Sequence, residues 1–376
     1  MRIPLVDLNA NYHGVKEEID RAIAEVINNS SFILGPHVEK FEENWANFCS
    51  TKYCVGLASG TEAVRLAVKA YGITRGDEVI TVPNTFIATT EAISDSGARP
   101  VFVDINEKTQ TIDVKKIEGK ITKRTKAIIC VHLYGHSCDM DPILDLGRKY
   151  NLKIIEDCAQ AHGAEYKGLR VGSLGDIGCF SFFPAKILGA FGDAGAITTN
   201  NSAIAEKIRL YSNHGRTSKH KSILEGYNSR MDTIQAAILN AKLPHLEKWI
   251  GQRKTISKKY SEKLNEEVEV PEEAPWGSHA YYMYVIRTSK RDELKEYLKK
   301  GGIGTGIHYP IPLHLQGAYD YLKYKKYNFP IAEKLAEEIL SLPLYPELTK
   351  EKQTYIINKI REFFSNNGGS SPARRV

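Results

Sequence analysis

Lys153-Ile154-Ile155-Glu156-Asp157-Cys158-Ala159-Gln160-Ala161-His162-Gly163 is the stretch from which the rest of the chain can be read. An apolar run of strand length ends on two carboxylates and gives way to small residues. Such a run reads as a strand buried on both faces of a parallel sheet. Sheets of this kind bind ligands beyond the carboxyl ends of their strands, so Glu156 and Asp157 stand where chemistry is expected. The same kind of run recurs on both sides, at Tyr53–Leu57, Glu78–Val82, Pro100–Val103, Ala127–Val131, Gly178–Phe182 and Gly195–Thr199. Helix-period segments lie between the runs, among them Glu62–Ala70, Ile87–Ser96 and Pro142–Tyr150. This alternation predicts an α/β fold, doubly wound around a mostly parallel sheet.

Further on, Asp232–Leu264 reads as one long helical pattern broken near Pro244. It joins the large domain to a smaller one through an acidic, proline-containing loop, Asn265–Gly277. A strand is expected at Tyr281–Arg287, with helices at Asp292–Lys300, Ile331–Leu340 and Lys350–Phe364. The expected division is a large α/β domain over residues 1–245, N-terminal arm included, and an α+β domain over residues 246–365. Residues 366–376, rich in Gly, Ser and Arg, read as a disordered tail.

Composition narrows the function classes. The 376 residues are 42% hydrophobic, which suits a globular protein with a sizeable core. No run of about 18 apolar residues is present, and the polar N-terminus does not read as a signal peptide, so the cytoplasm is the expected location and no membrane partner is expected. The net charge of +6 comes from interspersed Lys and Glu, and Lys323–Tyr327 reads as a solvated face, so no nucleic-acid partner is expected. Six scattered cysteines, with no Cys-x-x-Cys pair, read as buried free thiols. Residues 301–306 are glycine-rich but lack dinucleotide-binding spacing. His132, His136 and His162 lack metal-ligand spacing, so no metal is expected.

Three constellations carry the chemistry. Ala58-Ser59-Gly60-Thr61-Glu62-Ala63 follows a strand and opens a helix, so its N–H groups and the hydroxyls of Ser59 and Thr61 can receive an anion. The plainer reading is a helix cap. Asp157, at a buried strand end, can pair with a buried cation such as a protonated pyridine nitrogen; the plainer reading is a core carboxylate. Lys186, in Ser181-Phe182-Phe183-Pro184-Ala185-Lys186-Ile187-Leu188-Gly189, lies just past an aromatic strand in a tight, partly apolar loop. Burial favours its neutral amine, which can form an imine with an aldehyde; the plainer reading is a surface lysine. In this order on one α/β pattern, the three are the parts that a pyridoxal 5'-phosphate site requires. Phe86 either covers the ring face or is a core aromatic.

With these segments in place, the chain resembles the DegT/StrS family of nucleotide-sugar aminotransferases, of the pyridoxal-phosphate-dependent transferase fold type I. The resemblance runs from Ile3-Pro4-Leu5-Val6-Asp7-Leu8 to Leu340–Pro346, through Glu156–Gly163, Ser181–Lys186, Asn213-His214-Gly215, Tyr227–Ala237 and Ile307-His308-Tyr309-Pro310. It implies that Lys186 is the Schiff-base lysine and that Asp157 partners the pyridine nitrogen. Gln160 would then contact the ring hydroxyl side, with Ser59, Gly60, Thr61 and Ser181 holding the phosphate. Asn228 would reach the phosphate of the partner subunit's cofactor, which implies a homodimer with shared sites. Arg230, His308 and Tyr309 would contact substrate. The implied reaction carries the amino group of L-glutamate to a dTDP-3-keto-6-deoxyhexose. UDP-linked 3-keto sugars and 4-keto sugars are the alternatives, and Ile187 departs from the Asn that many relatives carry. A branch with histidine for the lysine dehydrates instead, and Lys186 favours transamination. A lyase and a non-enzymatic regulator of the same fold are the competing readings.

Overall fold

The computed structural model describes residues 1–366. The expected disordered tail lies outside the described residues except for Asn366, which instead ends the last helix, Lys350–Asn366. Seven strands form the main sheet: β1 (Tyr53–Leu57), β2 (Glu78–Thr81), β3 (Arg99–Phe102), β4 (Thr125–Val131), β5 (Lys153–Asp157), β6 (Ile177–Ser181) and β7 (Gly195–Thr199). Their spatial order is β1-β7-β6-β5-β4-β2-β3. Pairings among β2, β3, β4, β5 and β6 are parallel, whereas β7 runs antiparallel to both β1 and β6.

The connection between β6 and β7, residues 182–194, contains no helix. A parallel return needs a crossover, usually helical, so this loop turns back and β7 pairs antiparallel. The turn keeps the loop at the carboxyl end of β6. It also brings three chain segments to one rim, because Gly195 stands opposite both Leu57 and Ser181. Only glycine fits there: a Cβ on Gly195 would lie 2.1 Å from the Ser59 carbonyl oxygen, and one on Gly60 would lie 2.4 Å from the Ser181 Cβ.

Helices cover both faces of the sheet. On one face, Ala63, Leu66 and Ala67 of the helix Gly60–Ala70 pack on Ile129, Ile155 and Ile197. On the other, Phe41 and Trp45 of the helix Pro36–Cys49 meet Phe180 and Phe182. The Trp45 ring stands edge-on to both phenylalanines at 5.1 Å, a favoured aromatic geometry. All six cysteines are buried and free. Among the described residues no helix is long and apolar enough to cross a membrane.

The 232–264 segment breaks where proline requires, into Thr233–Lys242, a turn at Leu243–His245 and Leu246–Leu264. Beyond it, β8 (Tyr284–Arg287) pairs antiparallel with β9 (Ile339–Leu342). Two expectations are corrected here. The helix expected to run to Leu340 stops at Glu338, and Ile339–Leu342 is a fully buried strand whose backbone is satisfied by β8. The strand expected from Tyr281 begins at Tyr284, because Tyr281 has φ of 51°, outside the β region.

The Trp45→Ala protein is expected to lose about 3–5 kcal/mol of stability. Urea unfolding checks this, and a loss below about 1 kcal/mol would mean that the ring cluster is not a packing centre.

Candidate active site

Successive strand residues face opposite sides, so Glu156 and Asp157 have different surroundings. The Glu156 carboxylate accepts from the backbone N–H groups of Gly172 (2.8 Å), Leu174 (2.8 Å) and Gly175 (2.7 Å), and pairs with His132 Nε2 at 3.0 Å. His132 Nδ1 accepts from the Cys138 N–H at 3.0 Å, which puts the ring proton on Nε2. His132, Glu156 and Cys158 lie close enough to hold a metal ion. Both ring nitrogens and both carboxylate oxygens are nevertheless engaged, so the core-carboxylate reading belongs to Glu156.

Asp157 lines a cavity of about 560 Å³ at the carboxyl ends of the strands. Its Oδ2 accepts from Thr89 Oγ1 at 2.7 Å, with Thr85 Oγ1 3.0 Å from that hydroxyl. Its Oδ1 accepts from the Ala159 N–H at 3.1 Å. The carboxylate is thereby aimed and held.

Lys186 lines the same cavity, with its Nζ 4.7 Å from the centre of the Tyr282 ring. Burial pushes its pKa down from 10.5 to about 8, with Asp157 pulling the other way. Burial lowers Lys242 to about 8 as well. Lys242 donates to the Gly189 carbonyl at 2.6 Å and does not line the cavity, so geometry rather than acidity separates the two. The surface reading of Lys186 does not hold.

The sequence-predicted phosphate turn is at the same cavity: Ser59, Gly60, Thr61 and Ser181 all line it. Ser59 is also the helix cap, its Oγ accepting from the Glu62 N–H at 3.2 Å. The two readings are compatible, because a capping hydroxyl still has its proton to donate. The Gly60 and Thr61 N–H groups, at the start of the helix, have no intrahelical partner, and both residues line the cavity.

Gln160 Oε1 accepts from the Tyr134 N–H at 2.9 Å, and its Nε2 donates to the Tyr309 hydroxyl at 3.1 Å. Phe86 is 53% exposed and its ring lies 5.9 Å from that of Tyr309, so it belongs to the cavity wall and not to the core. His308 pairs through Nδ1 with Ser341 Oγ at 2.9 Å, and burial together with the Lys186 amine pushes it down to about 4. It is therefore neutral at neutral pH.

Two sequence-predicted residues are not in the cavity lining of this chain. Asn228 is exposed, and Arg230 donates to Asn213 Oδ1 at 3.1 Å. Sequence reasoning missed Thr85, Thr89, Asp193, Tyr282 and Met283, all on the cavity wall. Asp193 lay in the glycine-rich run after Lys186 and was open to notice. The threonines and Tyr282 carry no local signal.

A profile of the DegT/DnrJ/EryC1/StrS aminotransferase family matches residues 14–361. The chain is 46% identical to the pleiotropic regulatory protein of Geobacillus stearothermophilus, over 97% of this chain and 99% of that one. It is 44% identical to the dTDP-3-amino-3,6-dideoxy-alpha-D-galactopyranose transaminase of Aneurinibacillus thermoaerophilus, over 96% and 99% respectively. The crystal structure of Streptomyces venezuelae DesV in complex with a ketimine intermediate superposes with a TM-score of 0.94, at 41% identity, covering 96% of this chain and 98% of that one.

The lowered Lys186 pKa has a direct consequence. Reaction of the ligand-free protein with pyridoxal phosphate is expected to speed up as pH rises through about 8 and to level off above it. Stopped-flow absorbance measures this; a rate still climbing towards 10.5 would mean an ordinary lysine reacts.

Proposed function

The chain belongs to the DegT/DnrJ/EryC1/StrS aminotransferase family, and from that premise we propose that it transfers the amino group of L-glutamate to a nucleotide-linked keto sugar. The substrate we favour is a dTDP-3-keto-6-deoxyhexose, converted to the dTDP-3-amino-3,6-dideoxyhexose. The reading rests above all on one observation: the Asp157 carboxylate and the Lys186 amine open onto the same cavity as the Ser59–Thr61 helix start. The 44% identity to a transaminase named for such a product supports the choice of sugar.

The residues fit pyridoxal phosphate. Gly60 and Gly195 keep side chains off the rim where a phosphate would enter. Ser59, Thr61, Ser181 and the helix start would hold it. Asp157, aimed by Thr89 and Ala159, would keep a proton on a facing pyridine nitrogen. The cofactor, when bound, supplies the electron sink that aminotransfer needs. Lys186 Nζ, half neutral near pH 8, takes and returns the proton at the reacting carbon. Gln160 steadies Tyr309, and the Phe86 and Tyr309 rings narrow the mouth against water. Neutral His308 and Tyr309 would contact substrate.

In this reading the enzyme is a cytoplasmic homodimer, residues 1–245 holding the cofactor and residues 246–365 closing the site. Asn228 would serve the other subunit's phosphate, and Arg230 would contact substrate. Both sit on a segment beside the Ser59 turn, where the Ala58 N–H donates to the Ser229 carbonyl at 3.2 Å. Exposure of Asn228 leaves it open to a second copy.

Incubation with L-glutamate and a panel of dTDP- and UDP-linked 3-keto and 4-keto sugars tests the reading. The expected result is an amino sugar with stoichiometric 2-oxoglutarate, fastest with the dTDP-3-keto sugar. Lys186→Ala is expected to slow turnover by about a thousandfold. A deoxygenated keto sugar without 2-oxoglutarate would overturn aminotransfer, and faster turnover of a UDP sugar would overturn the nucleotide assignment.

A further inference from the structure

The cavity wall also includes Tyr282 and Met283, which belong to a strap, residues 280–283, leading into β8. Two N–H groups of this strap bond to one side of the molecule: Ala280 donates to the Gly135 carbonyl at 2.9 Å and Met283 to the Tyr134 carbonyl at 3.3 Å, while the Tyr281 N–H donates to His279 Nδ1 at 2.8 Å. Its carbonyls bond to the other side. Arg253 Nη1 donates to the carbonyls of Tyr281 and Tyr282, each at 3.3 Å, and to that of Leu344 at 3.0 Å. Arg253 is only 5% exposed, on the helix Leu246–Leu264 that leads out of the large α/β part of the chain. The strap is held with Tyr281 at a φ of 51°, which an aromatic residue adopts only when its surroundings impose it.

The next residue, Tyr282, is the one whose ring faces the Lys186 amine. Arg253 also lines a small cavity with Ala185, Lys186 and Ile187. Three groups on its wall, Arg253 Nε, the Tyr345 hydroxyl and Glu347 Oε2, are buried without a protein partner, so this space is polar despite Ile187. Burial lowers the Arg253 pKa only to about 10, so it remains a cation at neutral pH.

We propose that Arg253 is a positioning residue for Lys186: by gripping the 281–282 carbonyls it fixes the Tyr282 ring against the amine, and so couples the C-terminal part of the chain to the reacting group. The inference rests on Lys186 being the cofactor lysine, as proposed above. Without the guanidinium, the three carbonyls lose their shared donor and the strap relaxes, moving the Tyr282 ring. A misplacement of about 1 Å at a reacting group costs roughly a hundredfold in rate.

The test uses the cofactor-loaded full-length protein and the variants Arg253→Gln, Tyr282→Leu and the double variant. The readouts are kcat and KM for glutamate, visible circular dichroism of the bound cofactor, and the thermal midpoint. Arg253→Gln and Tyr282→Leu are each expected to lower kcat by about tenfold to a hundredfold and to alter the visible dichroic band in the same sense. The double variant is expected to be no worse than the poorer single one, because both act through one ring. Additive losses in the double variant would overturn the proposal. So would a wild-type dichroic band and kcat in folded Arg253→Gln. If Arg253→Gln does not fold, Tyr282→Leu decides alone: wild-type kcat and dichroism in it overturn the proposal. A wild-type protein with no visible cofactor band refutes the underlying reading of Lys186 instead.

Discussion

An amine from the loop after one strand and a carboxylate from the end of the adjacent strand, brought to one cavity, set the terms for everything around them. Burial drives Lys186 towards its neutral form, and Asp157 pulls it back towards the charged one. The two would otherwise close into an ion pair and leave nothing for chemistry. Asp157 is instead engaged by Thr89 and by the Ala159 N–H, while the Tyr282 ring faces the amine. The sheet connection makes this possible. Because residues 182–194 turn back without a helix, the lysine stays at the carboxyl end of β6, next to the end of β5 where Asp157 sits.

The neighbouring carboxylate shows what the site requires by contrast. Glu156 is one residue away, equally buried, and saturated by three backbone N–H groups and His132. It builds the loop at 172–175 and stabilises the strand end from behind. Asp157 keeps room on its cavity side. A strand that alternates faces thus separates structural and chemical work between consecutive residues of one type.

Much of this was legible in the sequence, because the relevant signals are local. The strands β1, β5 and β7 begin and end where apolar β-rich runs do, and Pro244 marks the break in the long helix. The Ser59 turn, Asp157 and Lys186 each sit at the end of such a run, so placing the strands placed them. What was missed depends on distant partners. Ile339–Leu342 looks like the end of a helix until β8 is there to pair with it. Thr89 matters only because its hydroxyl meets Asp157, and Tyr282 only because an arginine from a distant helix bonds its carbonyl. Asn228 and Arg230 lie off the cavity of their own chain, and the expected role of Asn228 needs a second copy. Ser59 proved to be both things its sequence allowed, a helix cap and a cavity residue.

The central claim is that Lys186, and not Lys242, whose pKa is also lowered to about 8, is the lysine that takes the cofactor. The most direct measurement is borohydride reduction of the pyridoxal-phosphate-loaded protein, followed by proteolysis and mass spectrometry of the labelled peptide. The account requires the reduced cofactor on Lys186 alone. Label on Lys242, or on an exposed lysine with Lys186 unmodified, would contradict it.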